Sequence, residues 1–99
     1  MNEMEILEMI EAMGTNYMIA RTKNGLAYIW TWRSEIEEDD LAAMIETPTA
    51  EHGAMVGTKE ELIWEVENCV GSYRWCGDEE QAEAAEEVVG VLLEAIQEA

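Results

Sequence analysis

Twenty of the 23 acidic residues in this chain are glutamate, and only five lysines and arginines oppose them. Glutamate is a good helix former and aspartate a poor one, so the charge is written in a helix-compatible form. It is also spread along the sequence instead of gathered in one block, the arrangement of a folded negative surface and not of a disordered acidic tail. The net charge of −18 far exceeds the magnitude of about 2–8 that suffices to keep a small domain in solution, and it opposes folding through self-repulsion. Its cause therefore lies outside the fold, in a strongly basic partner or a very salty solvent.

The remaining composition supports a core. Hydrophobic residues make up 48% of the 99, including four Trp, three Tyr and seven Met, enough apolar mass to separate this chain from disordered acidic sequences. A single acidic domain spanning residues 1–99 is expected. Glu3, Glu5 and Glu8 give no basic start for a signal peptide. No apolar run approaches the roughly 20 residues of a membrane span, so a cytoplasmic protein without membrane contact is expected. A surface this acidic repels nucleic acid, which argues against direct DNA or RNA binding.

The clearest local signal is Asn24-Gly25 between Tyr17–Lys23 and Leu26–Trp32, the turn pair of a tight type I′ hairpin. That loop pairs Lys23 with Leu26, Arg21 with Tyr28, Ile19 with Trp30 and Tyr17 with Trp32, all on one aromatic face. Met18, Ala20, Thr22, Ala27, Ile29 and Thr31 take the other. Residues 3 to 13 read as a first helix, with Leu7, Ile10 and Met13 in a helical stripe and Gly14 as its left-handed cap. Ser34 with Glu37 has capping-box spacing for a second helix, which Pro48 ends. Residues 47 to 57 read as a loop containing a short strand at Ala54 to Val56. Thr58 with Glu61 opens another helix, closed by Gly71. After a turn at Ser72–Gly77, Asp78 caps a long last helix with Ala85, Val88, Val89, Leu92 and Ile96 inside. The expected class is α+β, a small antiparallel hairpin or three-stranded sheet packed against about four helices.

The chemical inventory is thin. His52 is the sole histidine, and neither it nor Cys69, Cys76, Ser34 or Ser72 lies in a nucleophile motif, so no catalytic residue is assigned. The cysteines stand seven apart, unlike the close pairs of structural zinc sites, and no loop has calcium-ligand spacing. No metal or cofactor is expected, and the two cysteines read as free thiols with at least one buried. Tyr28, Trp30 and Trp32 read as core rather than as a base-stacking platform, which would need a basic groove. Tyr73 and Trp75, in a turn, are candidate partner contacts.

The carboxylates remain. After Arg74 the chain carries eight acidic side chains and no basic one, although ordinary helices gain from mixed signs at i, i+4. Glutamates three or four apart on a helix lie about 5–6 Å from each other, and duplex DNA presents roughly one charge per 1.7 Å of axis, so such a helix imitates part of that lattice. Glu37, Glu38, Asp39 and Asp40, with Glu79, Glu80, Glu83, Glu86, Glu87 and Glu94, are the candidate phosphate surrogates.

In size, extreme acidity and lack of catalytic inventory the chain resembles small phage-encoded inhibitors of the anti-restriction and anti-CRISPR type, several of which mimic DNA charge. The resemblance implies a non-enzymatic inhibitor seated in the nucleic-acid groove of a CRISPR effector or restriction-type nuclease; the apolar hairpin face leaves both a monomer and a homodimer open. Two alternatives remain open at this level: an acidic binding module for another basic protein, and a halophilic protein whose acidity serves hydration.

Overall fold

The structure, a computed structural model, describes residues 5–32, 45 and 52–99. They form strands β1 (Glu5–Ala12), β2 (Thr15–Thr22), β3 (Gly25–Thr31) and β4 (His52–Gly57), then helices α1 (Lys59–Cys69), α2 (Tyr73–Cys76, a single turn) and α3 (Glu79–Glu98). The strands make one antiparallel sheet in the order β1-β2-β3-β4. The α+β class holds, but the expected hairpin or three-stranded sheet against about four helices does not. The sheet has four strands, and the described residues hold two helices beyond a single turn.

The largest correction concerns residues 3 to 13, where the described part is strand β1 and not a helix. Its register against β2 slips between Ile6 and Glu8, leaving Leu7 as the extra residue of a bulge. The bulge breaks the two-residue period, so Ile6, Leu7 and Ile10 fall at i, i+1 and i+4, a helical spacing produced by a bent strand. Pairing also explains why a strand wins. Every residue of β2 from Thr15 to Ala20 is buried, and a central strand needs a hydrogen-bonded neighbour on both edges. Gly14 is left-handed as expected, with φ 73° beside Met13 at φ 55°. Two successive positive φ values are those of a type I′ hairpin turn, here joining β1 to β2 instead of capping a helix.

The second hairpin has the expected faces and a different register. Thr22 pairs with Gly25, Arg21 with Leu26, Ile19 with Tyr28 and Tyr17 with Trp30. Thr22 sets this turn: its hydroxyl accepts from Asn24 N–H at 3.1 Å and donates to Gly25 O at 2.8 Å. That local bonding places Lys23 and Asn24 at the centre, one residue earlier than an Asn24-Gly25 loop. Moving a turn by one residue changes each partner by two, so no side chain changes face. The short strand expected at Ala54–Val56 lies within β4, which pairs with β3 from Leu26–Gly57 to Thr31–His52. The helix expected from Ser34 lies outside the described residues.

Each sheet face carries its own core. Tyr17, Ile19, Leu26 and Tyr28 pack against Leu62, Val66 and Val70 and against Ala85, Val88, Val89, Leu92 and Ile96 of α3. Met18, Ala20, Ala27 and Ile29 make a second cluster on the other face, joined by Ile6, Ile45 and Ala54. At about 1.5–3 kcal/mol for a fully buried large apolar side chain, these clusters supply the favourable balance against charge repulsion. Both expected helix starts are present as full capping boxes, Thr58 with Glu61 and Asp78 with Gln81. Hydrogen bonds from the Thr58 backbone and side chain hold the Glu61 carboxyl below its usual range. Among the described residues no helix is long and apolar enough to cross a membrane.

Candidate partner-binding surface

Helix α3 is built to hold one face in and the other out. Ala85, Val88, Val89, Leu92 and Ile96 are its buried residues, and their i, i+3, i+4, i+7 spacing forces the intervening positions outward. Glu79, Glu80, Glu83, Glu86, Glu87 and Glu94 are all exposed. From Glu79 to Glu94 the helix rises about 22 Å, so these six carboxylates give roughly one charge per 4 Å of axis, close to the 3.4 Å of a single DNA strand. Glu79 and Glu80 sit in the first turn, where the helix dipole favours them.

Of the described cations, Lys59 and Arg21 are held away from the outer face of α3 and Arg74 reaches it. Lys59 Nζ donates to Gln97 O at 3.3 Å, bringing a positive charge to the C-terminal end of α3, whose own last turn has none. Arg21 pairs with Glu5 at 3.4 Å across the β1–β2 edge. Arg74 Nε donates to Gly71 O at 3.2 Å, and its guanidinium lies 4.0 Å from Glu86. That last contact is a tertiary one the sequence did not show. Arg74, Glu79, Ala82, Glu83 and Glu86 line a shallow groove of about 320 Å³ between α2 and α3. With the Glu86 side chain 72% exposed, the pair contributes little against the acidity of the face.

Tyr73 and Trp75, grouped in sequence, part company on α2. Trp75 is 72% exposed, while Tyr73 is half-buried and packs on the main core. Glu37, Glu38, Asp39 and Asp40 lie outside the described residues. A second acidic face went unread in the sequence. Met55, Glu60, Glu61, Trp64 and Glu65 line a groove of about 350 Å³ beside α1, and Trp64 is 64% exposed. Its signal was an aromatic residue on the polar side of an otherwise regular helix.

The aromatic strand face is core only in part. Tyr17 and Tyr28 are buried, and burial raises both phenols above the ordinary tyrosine value. Trp30 is half-buried and Trp32 is 61% exposed. Both cysteines are free, and contrary to expectation both are exposed; the Cys69 thiol accepts a hydrogen bond from the Tyr28 hydroxyl at 3.7 Å. Among the described residues no three His, Cys, Asp or Glu side chains are grouped to hold a metal ion. No protein-family model matches the chain, and no curated protein or solved structure gives a significant match.

Proposed function

We propose that this protein is a non-enzymatic inhibitor that occupies the basic nucleic-acid-binding surface of a defence nuclease or CRISPR effector, presenting the outer face of α3 where phosphates would lie. One observation carries this reading. Six exposed carboxylates are set on a rigid 20-residue helix at nearly the linear charge density of a nucleic-acid strand. Rigidity matters because a preformed array loses less entropy on binding than a flexible acidic tail does. A basic groove meets such an array with fast, salt-sensitive association.

A second reading, an acidic module for a basic protein that does not bind nucleic acid, is favoured by Trp64 and Trp75. Both are large and exposed, Trp64 beside Glu60, Glu61 and Glu65, and aromatic residues of this kind anchor protein interfaces. The two readings separate on one column. Bacterial lysate is passed over the immobilised protein, which is eluted first with duplex DNA and then with salt. Inhibition of a nucleic-acid enzyme predicts that bound proteins leave with DNA, and that a column of the E79Q/E83Q/E86Q/E87Q variant fails to retain them. Proteins that leave only with salt would replace the first reading with the second.

A further inference from the structure

Between the sheet and the segment joining α1 to α2 lies a cleft of about 180 Å³, walled by Tyr17, Trp30, Trp32 and Tyr73 and completed by Thr15 and Cys69. Trp30 and Trp32 share a strand face, with ring centroids 6.2 Å apart and planes tilted by 49°. They meet as a tilted aromatic pair that leaves Trp32 61% exposed. Trp30 lies across the backbone of Gly53, its cross-strand partner. A Cβ at position 53 would collide with Trp30 Nε1 and lie 2.7 Å from its Cε2, so the glycine is what lets the indole lie there and wall the cleft.

Charge decides what such an opening can take. A second copy of this chain brings another −18, and nucleic acid is repelled outright. Aromatic faces attract cations within about 6 Å of the ring centroid, no lysine or arginine is among the described lining residues, and the field of the whole chain draws positive charge. A guanidinium suits the site better than an ammonium, because it is planar, weakly hydrated and stacks on aromatic rings. The hydroxyls of Thr15 and Tyr17, which share a hydrogen bond, line the same cleft and each keep acceptor capacity beyond that bond.

We propose that this cleft receives an arginine side chain of the basic polypeptide partner, stacked on the indole faces that wall it while carboxylates elsewhere supply long-range attraction. The inference rests on the functional reading above only in requiring a basic partner, and it uses none of the α3 glutamates.

The test compares hexa-arginine with hexa-lysine, which carry equal charge, by calorimetry at ~0.15 M salt, with the tryptophan indole N–H signals followed by NMR. Wild type is expected to bind hexa-arginine about fivefold more tightly, with Trp30 and Trp32 shifting most. Trp32 is mostly exposed, so Trp32→Ala is expected to fold normally and to bind both peptides equally. Gly53→Ala, which displaces Trp30, should also erase the preference. Trp64→Ala should keep it, and E79Q/E83Q/E86Q/E87Q should weaken both peptides alike while leaving their ratio intact. Equal affinities in wild type, or a preference that survives Trp32→Ala but vanishes in Trp64→Ala, would overturn the assignment. So would a dimer that Trp32→Ala dissolves. Because the four glutamine substitutions leave the ratio alone, failure of the cleft is distinguishable from failure of the α3 surface.

Discussion

The two faces of α3 share one backbone and obey opposite rules. On the inner face Ala85, Val88, Leu92 and Ile96 are fully buried against the sheet, and each is fixed by the shape of what it touches. On the outer face Glu79, Glu83, Glu86 and Glu87 are exposed and stand at spacings where like charges repel. Folding explains the first face completely. It gives no reason for the second, which works against stability, so that composition has to answer to something the protein meets.

Cutting into the inner face should have the largest effect. Leu92→Ala removes a fully buried side chain and is expected to cost about 2–5 kcal/mol in urea unfolding, with partner binding unchanged wherever the variant remains folded. The outer face should respond with the opposite sign. E79Q/E83Q/E86Q/E87Q relieves several like-charge pairs and is expected to raise stability by about 0.5–1 kcal/mol, even after losing the favourable dipole contact of Glu79 and the exposed Arg74–Glu86 pair. A variant that is more stable and binds less would separate the faces cleanly; one less stable than wild type would break the contrast. Salt should act in the same direction. Raising it from ~0.05 to ~0.5 M shortens the screening length and is expected to lift the melting temperature of wild type by about 4 °C, and that of the glutamine variant by less. Unfolding at the lower salt would instead mark a halophilic protein.

The smallest effect at neutral pH is expected from Tyr28→Phe, which removes only a hydroxyl-to-thiol contact of 3.7 Å and should cost less than about 1 kcal/mol. Its use lies in alkali. Burial, with the nearby Cys69, raises the Tyr28 phenol above its ordinary 10.0, so the unfolded chain ionises first as pH rises past that value. Stability from this group is complete below pH 10 and falls above it. Tyr28→Phe should therefore lose less stability than wild type between neutral pH and strong alkali, as followed by circular dichroism. An identical alkaline loss would mean that the inner side of the sheet tolerates charge, contrary to the contrast drawn here.

What could be read from the sequence divides along similar lines. The capping box at Thr58–Glu61, the Asp78 cap and the inner stripe of α3 were legible because they depend on residues within a turn or two of one another. The faces of the β2–β3 hairpin were legible for the same reason, although the Thr22 hydroxyl moved the turn. β1 was not, because a bulge at Leu7 gave a strand the spacing of a helix, and Gly14 satisfies a helix cap and a type I′ turn equally well. The Trp30–Gly53 contact joins strands far apart in sequence, and Arg74 meets Glu86 across the α2–α3 turn; no periodicity within one element encodes either. Of the candidate site, the α3 glutamates were visible as uncompensated charge, whereas the aromatic cleft passed for core because alternation shows which face a side chain is on and not how fully that face is covered.

The most direct test of the central claim is binding of labelled target duplex by a panel of CRISPR effector and restriction-type nuclease complexes, measured with and without this protein. Wild type is expected to displace DNA from at least one of them, with a potency that falls at least about tenfold between 50 and 200 mM salt, and E79Q/E83Q/E86Q/E87Q is expected to lose most of it. DNA that stays bound in every complex, or a glutamine variant that inhibits as well as wild type, would contradict the claim.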